Sequence, residues 1–83
     1  MATWDWSHNT VIAGSNTSVR VNGSPCTPVT VRLYVDGVEV ATGEVSSPPG
    51  TASLAVPAGS SGKPFIIKVS CNGQSDSQSG TVA

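Results

Sequence analysis

The stretch from Val29 to Gly43, VTVRLYVDGVEVATG, constrains the fold of this chain more than any other. Val29, Val31, Leu33 and Val35 alternate with Thr30, Arg32 and Tyr34, the period-two pattern of a strand with one buried face. Asp36-Gly37 then supplies the two positive-φ residues of a type I′ turn. Beyond the turn, Val38, Val40 and Thr42 alternate with Glu39 and Ala41. A two-residue turn sets Val35 against Val38, Leu33 against Val40 and Val31 against Thr42, which predicts both apolar rows on one face. Arg32 and Glu39 fall diagonally on the other face, within reach of a weak cross-strand pair. This is a β-hairpin, and it is scaffold without chemistry of its own.

The rest of the chain supplies layers for that hairpin. Thr10 to Ala13 reads as a short first strand, ended by Gly14-Ser15-Asn16. Ser18 to Asn22 (SVRVN) turns Val19 and Val21 inward. Gly23 to Pro28 is a loop, because its two prolines exclude it from a paired central strand. Pro48-Pro49 breaks the connection after Glu44, and Thr51 to Val56 then puts Ala52, Leu54 and Val56 on one face. Phe65 to Cys71 (FIIKVSC) is the most apolar strand, with Phe65, Ile67, Val69 and Cys71 inward and Ile66, Lys68 and Ser70 outward. Asn72-Gly73 opens another turn, and the second half of the polar tail after it reads as a last edge strand. No stretch carries a helical period of useful length. Short strands with turn signals about every 8 to 12 residues predict an all-β chain, a small antiparallel β-sandwich of six to seven strands.

Residues 1–9 precede this domain (residues 10–83) as an extended arm, with Trp4 and Trp6 on one side and Asp5 on the other. Two readings of the arm stay open. Either the rings cover the open end of a small core, or they insert into a partner. His8 beside them has no second ligand nearby in sequence.

An 83-residue chain is one domain near the lower limit of what a core can hold, burying only about 60% of its unfolded surface. Four basic and five acidic residues are spread singly. That argues against a nucleic-acid partner, which needs a clustered basic face, and against a polybasic membrane contact. No apolar run approaches the roughly 20 residues of a membrane span. Ser and Thr stand where a more soluble protein carries Lys and Glu, a surface suited to the extracellular medium or to an assembly. Cys26 and Cys71 are too far apart for a CxxC motif, which leaves a disulfide or two buried thiols.

Little points to catalysis or to a cofactor. The acids are Asp5, Asp36, Glu39, Glu44 and Asp76; Asp36 is used by its turn, and no other two are placed as a close pair. No serine lies in a G-x-S-x-G elbow, and Gly59-Ser60-Ser61-Gly62 lacks the Lys-Ser/Thr of a phosphate loop. Asn16-Thr17-Ser18 and Asn22-Gly23-Ser24 match the glycosylation sequon, which recurs by chance in chains rich in Ser, Thr and Asn. Neither Asp36 nor Asp76 has the clustered oxygens of a calcium site. The expectation is a non-enzymatic protein without metal.

The order of these pieces resembles a known module. VIAGSNTSVRVNGSPCTPVTVRLYVDGVEVATGEV, followed by GTASLAVPAG and a strand ending near a Cys, is similar to bacterial Ig-like modules, in particular the cell-adhesion-related repeats. The likeness runs from about Val11 to Cys71 and implies an Ig-like sandwich. It departs from antibody-type domains in lacking their tryptophan on the strand of Leu33 and Tyr34. Starting at Met1 with TWDWSHNT and no leader, the chain also resembles the free-standing Ig-like accessory proteins of tailed-phage virions. That resemblance implies a capsid decoration protein on the particle surface, bound in many copies to the major capsid or another virion protein, with weak glycan contacts. The alternative is an adhesion or carbohydrate-binding module at a bacterial cell surface.

In an Ig-like topology the Phe65–Cys71 strand runs beside Val29–Val35, so Cys71 and Cys26 converge at one end and a Cys26–Cys71 disulfide is expected. An apolar anchor for a partner is expected among Trp4 and Trp6 of the arm, Tyr34 on the outward face of the hairpin, and Ile66 on the outward face of its strand.

Overall fold

The computed structural model describes residues 3–83; Met1 and Ala2, the first two residues of the expected arm, lie outside it. Seven strands follow in order: β1 (Asp5–His8), β2 (Asn16–Gly23), β3 (Val29–Val35), β4 (Val38–Val45), β5 (Gly50–Ala55), β6 (Pro64–Cys71) and β7 (Gln74–Thr81). There is no helix among the described residues. One sheet has the order β1-β2-β5 and the other β4-β3-β6-β7, with every pairing antiparallel. The chain is therefore a two-layer β-sandwich, with β6 beside β3.

The core forms where the alternating rows of the two sheets meet. Val19 and Val21 of β2 and Ala52 and Leu54 of β5 close against Val31 and Leu33 of β3 and Ile67 and Val69 of β6. All eight are buried, so the period-two reading of β2, β3, β5 and β6 holds residue by residue. Asp36 (φ 53°) with Gly37 (φ 81°), and Asn72 (φ 44°) with Gly73 (φ 81°), adopt the left-handed backbone their hairpins require. Cys26 and Cys71 are disulfide-bonded with their Cα atoms 5.8 Å apart. The bond ties the loop between the sheets to the end of β6.

The hairpin register departs from the simple turn rule. Val35 pairs with Val38 and Tyr34 with Glu39 as expected, but a bulge at Val40 sets Leu33 against Ala41. Val31 faces Gly43, not Thr42. One extra residue in β4 reverses the parity of everything after it. Val45, outward by the simple rule, is therefore buried, while Val38, which precedes the bulge and is expected inward, is 62% exposed. Gly43 explains why the shifted register is tolerated. A Cβ there would sit 3.2 Å from the Ala52 Cβ, so a bare backbone lets β4 close on β5.

Two further expectations are corrected. Thr10 to Ala13 is not a regular strand, and the first strand is β1, four residues from the segment read as an arm. Only a parallel bridge survives at Val11–Ala13: the Ala83 N–H donates to the Val11 carbonyl, and the Ala13 N–H to the Ala83 carbonyl. In the tail the strand spans Gln74–Thr81, not only its second half. Its residues pair one for one with β6, led by the Asn72-Gly73 turn.

Thr17 of β2 is fully buried, and its hydroxyl has no hydrogen-bond partner. An unsatisfied buried hydroxyl costs desolvation that nothing offsets. Thr17→Val keeps the shape and removes the polar atom. It is expected to raise stability by about 1 kcal/mol, or roughly 5 °C in a thermal melt of a domain this size. A melting temperature that falls would refute this account of Thr17.

Candidate functional site

The surface with most to offer is the outward face of the four-stranded sheet. Register fixes its layout in three rows. At the disulfide end, Glu44, Thr30, Ser70 and Ser75 lie side by side. The middle row is Thr42, Arg32, Lys68 and Ser77. The row at the hairpin end is Glu39, Tyr34, Ile66 and Ser79.

Charge on this face is partly compensated. Like charges directly opposite repel, and Arg32 stands opposite Lys68. The Arg32 Nε lies 3.1 Å from Glu39 Oε1, the diagonal pair expected from sequence. Both side chains are close to half exposed, so the pair contributes a few tenths of a kcal/mol. Lys68 takes part in no ion pair among the described residues.

Next to Lys68, the disulfide end holds an open groove of about 600 Å³, lined by Thr30, Ser70, Asn72, Gln74 and Ser75 among others. Its walls offer hydroxyls and amides around one ammonium group. A smaller hollow of about 270 Å³ at the opposite end is framed by Val35, Val38, Val40 and Pro57. No group of three or more His, Cys, Asp or Glu is placed to hold a metal among the described residues.

The four expected anchors separate into two kinds. Ile66 is 44% exposed and stands directly opposite the half-buried Tyr34, which makes these two an apolar pair in the hairpin-end row of the outward face. Trp6 is only 7% exposed and belongs to the core, and Trp4 packs against that core half-buried. The Trp6 indole Nε1 donates to Asp76 Oδ2 at 2.9 Å, joining β1 of one sheet to β7 of the other. His8 stands edge-on to Phe65 with ring centroids 5.7 Å apart. The rings thus cover the open seam between the sheets. Sequence reasoning missed the Asp76 partner, because nothing in a polar tail marks one carboxylate among its neighbours.

No family model, curated protein or solved structure matches this chain.

Proposed function

We propose that this chain is a non-catalytic structural module, a decoration protein of a tailed-phage virion that attaches through the outward face of its four-stranded sheet. The contact surface rests on one observation: Ile66 and Tyr34 form an apolar pair at the centre of one row, on a face otherwise made of hydroxyls and charges. Exposed apolar patches rimmed by polar residues are the usual mark of an interface. The particle context rests on the likeness of VRLYVDGVEVAT to Ig-like modules, and the Cys26–Cys71 bond suits the oxidising medium a released particle meets.

The test is co-sedimentation of the purified chain with particles of the phage whose genome encodes it. Tyr34→Ala combined with Ile66→Ser is expected to weaken particle binding by about 30-fold or more while the thermal melt stays in place. Unchanged binding by the double variant would exclude this face. A chain that never sediments with the particle would exclude the decoration role.

The groove beside Lys68 favours a second reading, a carbohydrate-binding module of a bacterial surface protein. Hydroxyls and amides around a single cation suit a polyol bearing a carboxylate or sulfate group. Strong glycan-array signals lost in Lys68→Ala would move the assignment to this reading. A repeat array or a sortase signal in the encoding gene would do the same.

A further inference from the structure

The sandwich has four edge strands, and three of them are guarded. β1 is four residues long, with a register shift between Asp5 and Trp6. β4 carries the bulge at Val40 and the charges of Glu39 and Glu44. β5 is reached by a short connection from β4 and lies against it, with the Gly43 position close to Ala52 and Leu54. β7 has no bulge, and its one charge, Asp76, is engaged by the Trp6 indole N–H. Its eight residues, QSDSQSGT, are all exposed, pair with β6 without a bulge, and include no Pro, Lys or Arg. Long, flat, unprotected edges are templates for another strand.

The direction of the free hydrogen-bonding groups follows from the chain end. The Val82 N–H donates toward β6, to the Lys63 carbonyl, while the Ala83 N–H points the other way, to Val11. Antiparallel alternation then turns the N–H and C=O of Ser75, Ser77, Ser79 and Thr81 outward. The Val11–Ala13 segment, bonded to Ala83, crowds the position next to Thr81. That leaves Ser75 to Ser79 open, and the centre of that span is Ser77.

We propose that β7 pairs antiparallel with β7 of a second copy of this chain about a two-fold axis through Ser77, joining two four-stranded sheets into one of eight. This register sets Ser75 against Ser79 of the second copy, and Asp76 against Gln78 of the second copy, twice by symmetry. The match is chemical as well as geometric. Asp76 holds the Trp6 N–H on Oδ2, and its Oδ1 accepts from the amide of Gln78 across the axis. A formal net charge of −1 leaves little repulsion between copies. An axis through Asp76 would instead set the two carboxylates face to face.

Sedimentation equilibrium of the full chain, of Gln78→Lys and of Gln78→Asp tests the register by sign. All positions on β7 are exposed, so both variants are expected to fold, and a thermal melt checks this. The wild-type chain is expected to dimerise with concentration. Gln78→Lys places two ammonium groups opposite Asp76 carboxylates and tightens the dimer on the order of tenfold, whereas Gln78→Asp weakens it by a similar factor. The amides of Ser75, Ser77 and Ser79 are expected to exchange more slowly as the dimer forms. A monomer at millimolar concentration, or a dimer that both variants shift in the same direction or leave untouched, overturns the proposal.

Discussion

Replacing Cys26 and Cys71 together by alanine is expected to lower the melting temperature by roughly 20 °C. The bond closes a loop spanning a sequence separation of 45 residues. Cross-linking a loop of that length removes about 4 kcal/mol of unfolded-chain entropy on the polymer model. Each kcal/mol moves the midpoint of a domain this size by about 4–8 °C. The whole stability of such a chain is on the order of 4–12 kcal/mol, so the bond decides whether the domain is comfortably or barely folded. Placement adds to the effect. Cys26 sits in the loop where the chain leaves the β2 sheet for β3, and Cys71 ends the strand beside β3. Releasing it frees the one covalent tie between that crossing and the central strand pair. The measurement is a pair of melts, one of the alanine double variant and one of the native chain under reductant. Both are expected to show the same fall. A shift below about 5 °C in either would mean that the unfolded chain is already compact and the entropy account is wrong.

The legible part of the fold is the part that buries one face of a strand. Val19 and Val21, the β3 row, Ala52 and Leu54, and the β6 row all announce themselves by alternation, because each side chain is either core or surface. β4 is not legible by alternation, since VEVATGEV offers small or apolar residues in both phases. Alternation alone does not choose between Val40 and Ala41, and the deciding residue, Gly43, acts by having no side chain. β7 is only half legible, for the opposite reason. The sheet of β1, β2 and β5 has one strand fewer, so β7 overhangs and buries nothing, and hydrophobic periodicity has nothing to report there. Its trace in the sequence is the Asn72-Gly73 turn after the most apolar strand. The outward pair Tyr34 and Ile66 was legible from parity. The capping of the core by Trp6 is one of the two readings the sequence leaves open, but its Asp76 partner, 70 residues away, is not legible there.

The arm of two tryptophans is where the two readings of the sequence divide most sharply, and single substitutions separate them. Trp6→Ala is expected to cost about 3–5 kcal/mol, the range for emptying a large aromatic site in a core. The ring fills the seam between β1 and β7, and its loss also removes the hydrogen bond to Asp76. Trp6→Phe keeps most of the apolar volume and forfeits that bond. Its cost is expected near 1–2 kcal/mol, since Asp76 is exposed and regains water. Trp4 is half-buried on the rim of the same cluster, so Trp4→Ala is expected to cost no more than about 1.5 kcal/mol. Denaturant melts followed by circular dichroism give all three values without relying on the fluorophores being removed. The order Trp6→Ala, Trp6→Phe, Trp4→Ala tests the capping role directly. β1 has only four pairs with β2 to hold it, so a capping ring must carry much of its attachment. If Trp6→Ala leaves the midpoint within about 1 kcal/mol of wild type, the ring contributes little to the core. In that case β1 detaches easily, and both tryptophans return to being candidates for a partner's pocket. A loss of several kcal/mol removes Trp6 from the candidates for the contact surface and leaves Tyr34 with Ile66 as the pair to test.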